Sequence, residues 1–180
     1  QSALAEEDSD QDAAGDGDIT SSFGSMTVRN LTGTLHAQNS NGAITAAKVS
    51  GGLTARNSFG AVDVSDTGGP VDVENGNGRL RLRDARGNAT LRTSFGELDA
   101  SGISGDATVA NSNGAITLSN VGGAVDVRGS FGRIAATKAR KGARNVVENA
   151  ADSVAEVPGE GFGKTRFGLE EGEWVGGCLA

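Results

Sequence analysis

The residues of this chain that could do chemistry recur at fixed intervals. Asp63, Arg81 and Asp99 stand eighteen residues apart, as do Arg56, Glu74 and Arg92. Opposite charges at one repeated position form ion ladders when successive repeats lie side by side. Asn39, Asn57, Asn75 and Asn111 hold a second repeated position, where side-chain amides can hydrogen-bond turn backbone and one another. Phe23, Phe59, Phe95 and Phe131 hold a third, thirty-six residues apart. Such rings are expected to pack at a corner of the fold; exposed, they would instead form a platform for stacking sugars.

Groups for covalent or metal chemistry are sparse. His36 is the only histidine and Cys178 the only cysteine, which leaves little for a His-based triad, a zinc site or an internal disulfide. Residues 158–165, Pro-Gly-Glu-Gly-Phe-Gly-Lys-Thr, end like a phosphate-binding loop. Proline occupies the place of the first glycine, and a glycine-rich run follows where a helix should present its N-terminus. Paired carboxylates such as Asp63 with Asp99 or Asp16 with Asp18 are not repeated at the corners, as a calcium-binding roll requires. A glycan-cleaving β-helix gathers its acids between protruding loops, and the repeat here has no insertion to form one. Arg79, Arg81, Arg83 and Arg86, and then Lys138, Arg140, Lys141 and Arg144, are basic clusters without interleaved aromatics, so they read as solvated surface rather than a nucleic-acid interface. Thr27, Thr45 and Thr117 share a column that Asp63, Arg81, Asp99 and Ala135 interrupt, which spoils an ice-binding plane. No catalytic residue, cofactor or metal is expected.

What positions these residues is a repeat. Gly24, Gly42, Gly60, Gly78, Gly96, Gly114 and Gly132 are spaced by eighteen with no insertion or deletion. Apolar residues follow each glycine at two and four places, as in Val62 and Val64, and again at eleven and thirteen, as in Val71 and Val73. Each pair is the alternation of a half-buried strand, and a 3.6-residue helix cannot reproduce the offsets. A second glycine column, from Gly33 to Gly123, suggests a tight corner with positive φ between the strands. The spacing predicts an all-β fold, a single-stranded parallel β-helix or β-solenoid with 18-residue repeats, in which each unit buries its apolar face only against its neighbours. Phe alternating with Asn41, Asn77 and Asn113 leaves a 36-residue turn open. The eighteen-residue turn is favoured because it interleaves charges that the longer turn would stack like on like.

Aromatic content is 4% and glycine supplies 29 positions among 180 residues, so a thin core shared between rungs fits better than a thick globular one. The net charge of −7 is uneven. Residues 1–18 hold seven acids and no base and read as a disordered acidic head. Residues 19–144 form the solenoid of seven repeats. Residues 145–180 read either as degenerate repeats, since Asn149, Gly159, Phe167, Gly168, Val175, Gly177 and Leu179 keep the phase, or as a helical cap carrying Val147, Ala151 and Val154. No apolar run approaches the roughly 18 residues of a membrane-spanning helix. A chain that begins at Gln1 suggests a removed leader or an excised piece.

The run Asn57-Ser58-Phe59-Gly60-Ala61-Val62-Asp63-Val64, followed by Gly68-Gly69-Pro70-Val71-Asp72-Val73-Glu74-Asn75, resembles a bacterial adhesin family whose domain, of unknown function, consists of β-strand repeats. The resemblance covers about residues 20–144. It implies a secreted or envelope-associated parallel β-helix and transfers no catalytic residue. The resulting expectation is a non-enzymatic extracellular or cell-envelope β-solenoid, a structural or adhesion module that self-associates through its ends into filaments. The alternatives are a carbohydrate-binding β-helix and a protein-binding module of an envelope regulator. Expected partners are further copies of the chain, a surface glycan or an envelope protein, and no nucleic acid.

Overall fold

The computed structural model describes residues 13–139 and 153–156. One sheet contains nine parallel strands in the order β1 (Ala13–Ala14), β3 (Met26–Thr32), β5 (Ile44–Val49), β7 (Val62–Thr67), β9 (Leu80–Ala85), β11 (Leu98–Ile103), β13 (Ile116–Val121), β15 (Ile134–Ala139) and β16 (Ser153–Glu156). The other contains seven: β2 (Gly17–Phe23), β4 (Leu35–Asn41), β6 (Leu53–Phe59), β8 (Val71–Asn77), β10 (Ala89–Phe95), β12 (Ala107–Asn113) and β14 (Val125–Phe131). Consecutive strands alternate between the sheets, so the chain coils through about seven turns. Among the described residues there is no helix.

Registers settle the turn length. Val62 pairs with Ile44 on one side and Leu80 on the other, and Val73 with Ala55 and Leu91, each an offset of eighteen. Alternation then sends one set of side chains inward on every strand. Val62, Val64, Val71 and Val73 of one turn, and Leu80, Leu82, Ala85, Ala89 and Leu91 of the next, are all buried in one continuous aliphatic column. Full burial of each Val, Leu or Ile contributes about 1.5–3 kcal/mol, and the pairing of neighbouring rungs satisfies their backbone. At ~4.8 Å per rung, seven rungs make a rod core about 34 Å long.

Two corners close each turn. At the first, Gly60 has φ +123°, and a Cβ there would collide with the carbonyl of Gly42 in the rung below, so only glycine fits. The second corner differs from the sequence expectation. Its left-handed residues are Asn30, Lys48, Asp66, Asp84, Gly102 and Asn120, with φ of 53–69°, three positions before the glycine column assigned to that role, in which Gly33 alone has positive φ. The glycine column is required mainly by close stacking. Gly51 lacks the positive φ, yet a Cβ on it would lie 2.5 Å from the Gly33 oxygen.

The ends also depart from expectation. Ala13–Ala14 and Gly17–Asp18 are already strand, so the expected head at 1–18 is too long by at least the residues from Ala13 onward. Asp16 explains part of this: its Oδ1 accepts hydrogen bonds from the Thr34 N–H at 2.9 Å and the Thr34 hydroxyl at 2.5 Å, which stitches the first turn to the second. At the other end Val154 lies in a strand rather than on a capping helix. Its strand, β16, pairs with β15 at an offset of nineteen, one residue out of phase with the repeat. Residues 1–12, Val147, Ala151 and the columns from Asn149 and Gly159 onward lie outside the described residues, as do Cys178 and the segment 158–165.

Candidate functional site

The last four residues of each strand in the seven-stranded sheet build a groove along the rod. In β6 they are Arg56, Asn57, Ser58 and Phe59; in β10, Arg92, Thr93, Ser94 and Phe95; in β14, Arg128, Gly129, Ser130 and Phe131. Asn57 and Thr93 turn inward and are buried, while the arginine and serine turn outward. Strict alternation would then bury the phenylalanine. Instead the ladder pairs Asn57 with Asn75 and Phe59 with Asn77 but skips Ser58, and the chain bends there into the glycine corner. That bend throws the ring outward.

The four rings are therefore exposed rather than packed at a corner: Phe23 79%, Phe59 54%, Phe95 53% and Phe131 66%. This corrects the sequence expectation, and the reason is the bend at the serine, which a period-two pattern cannot show. Neighbouring rings sit two rungs apart, about 9.6 Å, beyond the 4.5–7 Å at which aromatic pairs stack. Asn41, Asn77 and Asn113 separate them, paired in register on both sides.

Between the aromatic edge and the arginine column runs a groove of 660 Å³. Its floor is made of small residues, Ser40, Ser58, Gly76, Ser94, Ser112 and Ser130. One wall carries Arg56, Glu74, Arg92 and Arg128, and the other Phe59 and Asn77. Glu74 lies 3.8 Å from Arg56, and Arg128 pairs with Asp126 on its own strand at 3.3 Å. Among the described residues Arg92 is in no ion pair within 4 Å. The sequence signal for this groove is the repeated Arg-x-Ser-Phe at 56–59, 92–95 and 128–131, which shows only when the arginine, serine and phenylalanine columns are taken together.

The ion ladders of the nine-stranded sheet lie elsewhere. Arg81, on the nine-stranded sheet, stands between Asp63 at 3.7 Å and Asp99 at 3.9 Å. Arg79 meets Glu97 at 3.0 Å. The asparagine column is buried, and Asn39, Asn57, Asn75 and Asn111 also line the groove. Asn39, Asn57, Asn75 and Asn111 donate their side-chain amides to the carbonyls of Gly24, Gly42, Gly60 and Gly96 at 2.9–3.1 Å. Those carbonyls belong to four corner glycines; the column is completed by Gly78, Gly114 and Gly132, all with positive φ. His36 is an exposed strand residue on β4.

Among the described residues no three His, Cys, Asp or Glu side chains gather as a metal site, and no helix is long and apolar enough to cross a membrane. The groove's lining holds neither histidine nor cysteine and one carboxylate, Glu74. What it offers is a long, shallow surface that repeats an apolar face, a hydroxyl and a guanidinium every second rung. Compared with protein-family models, curated proteins and solved structures, the chain matches none.

Proposed function

We propose that this protein is a non-enzymatic adhesion module of the cell exterior or envelope, a stiff β-solenoid that holds a row of contact groups along one side. The observation that carries this reading is the exposure of four phenylalanines in register along the rod. A chain that buries its valines and leucines almost completely while leaving every ring of one column in solvent is presenting those rings to a partner. The rigid rung spacing fixes the distance between contacts, so an extended partner meets several at once and gains affinity through multiplicity. The resemblance of residues 20–144 to adhesin-type strand repeats agrees with this role.

The test is binding of the fluorescently labelled chain to intact bacterial cells, comparing the native protein with a Phe59→Ala/Phe95→Ala variant. Both rings are exposed, so the variant should keep its circular dichroism spectrum and melting point while losing most of its cell binding. Equal binding by the two proteins would overturn the adhesion reading.

Assembly end to end is a second role with its own observation. Within the seven-stranded sheet, β2 and β14 each have a partner on one side only among the described residues. Unpaired parallel edges template further strands, so rods joined this way would continue the same groove. Filaments in electron micrographs of concentrated protein are the expected result; a strictly monomeric species at high concentration would count against it.

A further inference from the structure

Resting on the adhesion reading, we infer that the groove binds an anionic polysaccharide in extended conformation, one that carries a single carboxylate or sulfate per disaccharide. The inference comes from the coincidence of two periods. The phenylalanines recur every second rung, and so do the arginines across the groove, on the same strands: Arg56 with Phe59, Arg92 with Phe95 and Arg128 with Phe131. Each pair brackets one serine along its strand; Phe59 lines the groove together with the three arginines, and Phe95 and Phe131 continue its exposed edge along the rod. The binding unit is thus an aromatic face, a hydroxyl and a guanidinium, repeated at about 9.6 Å along a straight axis.

Each part selects a property of the ligand. A phenylalanine edge offers dispersion contact to the C–H face of a pyranose ring but no hydrogen bond. The serine floor is shallow and lined with groups that donate and accept, which suits the hydroxyls on a sugar's rim. Arginine presents a planar fork of donors that matches a carboxylate or sulfate, and it recurs once per two rungs. An extended β-linked hexopyranose chain advances by about two rungs per disaccharide. Successive sugars therefore alternate between a position with a ring and an arginine beside it and a position beside Asn77 and Glu74. Glu74 disfavours charge at the intermediate sugar, which sets a preference for alternating over uniform charge. In the groove three arginines face the single carboxylate of Glu74, although the chain as a whole carries −7.

The experiment is isothermal titration of the full chain with three polymers of matched length. Hyaluronan oligosaccharides alternate a uronate with an uncharged sugar, cello-oligosaccharides are neutral, and oligogalacturonate is charged at every unit. Tightest binding to the alternating polymer is expected, weakening with salt. Arg92→Ala should reduce it at least fivefold and leave weak neutral-glycan binding unchanged. Phe59→Ala/Phe95→Ala should reduce binding to all glycans at least tenfold. Equal affinity for the neutral or uniformly charged polymer, indifference to Arg92→Ala, or tighter binding of a single-stranded oligonucleotide would overturn the inference. If none of the polymers binds while cell binding still depends on Phe59 and Phe95, this inference fails and the adhesion reading stands. If cell binding survives the phenylalanine changes, the adhesion reading itself fails.

Discussion

Asn57 donates its side-chain amide to the carbonyl oxygen of Gly42 at 3.1 Å, and so ties the end of one coil turn to the corner at its start. Gly42 is stacked directly beneath Gly60, the corner that the chain enters three residues after Asn57. The bond spans fifteen residues of sequence but only one rung of space. Asn57 is 5% exposed, so losing its side chain leaves the Gly42 carbonyl without this donor. Asn57→Ala should therefore cost about 1–3 kcal/mol, read as a lower urea midpoint with an unchanged slope. Asn57→Asp should cost more, since a carboxylate cannot donate and must be buried. An Ala variant as stable as the native protein would show that the column is incidental to the coil.

The same column has a gap at Thr93, and the gap makes the opposite prediction. Thr93 is buried, its hydroxyl has no hydrogen-bond partner, and no side chain at that position reaches Gly78. Asn75 reaches Gly78 instead, through a second, longer bond of 3.2 Å from the amide already given to Gly60. Asparagine is close to threonine in volume, so Thr93→Asn restores the pattern without overpacking. A gain of about 1 kcal/mol is expected, measured as a rise in the urea midpoint. A loss of stability would mean that the corner at Gly78 has settled into a shape that excludes the amide.

Much of this architecture was legible because a solenoid writes each rung's constraints once per period. Val62 and Leu80 fall in one column of the sequence and pair across one ladder of the structure, and the alternating charges of Asp63, Arg81 and Asp99 were enough to choose the shorter turn. What stayed illegible depends on local departures from alternation. Phe59 reads as inward from Asn57, and only the bend at Ser58 turns it out. The left-handed corner is carried by Asn30, Lys48, Asp66, Asp84, Gly102 and Asn120, types that tolerate positive φ except for Lys48, but the mixed column is less legible than the unbroken column of glycines three places on. Those glycines are demanded by the neighbouring rung, a constraint that lies between repeats. The groove combines two columns that look unrelated until the bend brings them to either side of one serine.

Thr67 isolates the energetics of the core. It occupies the inward column between Val49 and Ala85, is 1% exposed, and its hydroxyl has no hydrogen-bond partner. An unmade hydrogen bond in that setting costs about 1–3 kcal/mol, and valine has nearly the same shape. Thr67→Val should raise the thermal midpoint, with a gain of about 1 kcal/mol by urea unfolding. If the variant were destabilised, the hydroxyl would have to be making a bond that the side-chain geometry does not show.

Asp16 supplies the pH dependence. The Thr34 hydroxyl, first, and the Thr34 backbone N–H, second, hydrogen-bond its carboxylate and hold its pKa below the ordinary aspartate value. A carboxyl whose folded pKa is depressed contributes stability that is present above the unfolded value, about 3.9, and is lost as pH falls through the folded value. The stitch between the first two turns should therefore open below that range while the interior rungs stay closed. Hydrogen exchange at the Thr34 amide checks this, because protection there should fall at acid pH before that of Val73. Asp16→Asn keeps an acceptor for the Thr34 N–H but removes the titration, so its protection at Thr34, relative to the intrinsic exchange rate, should be flat across the same range. An unaltered acid step in that variant would place the titrating group elsewhere.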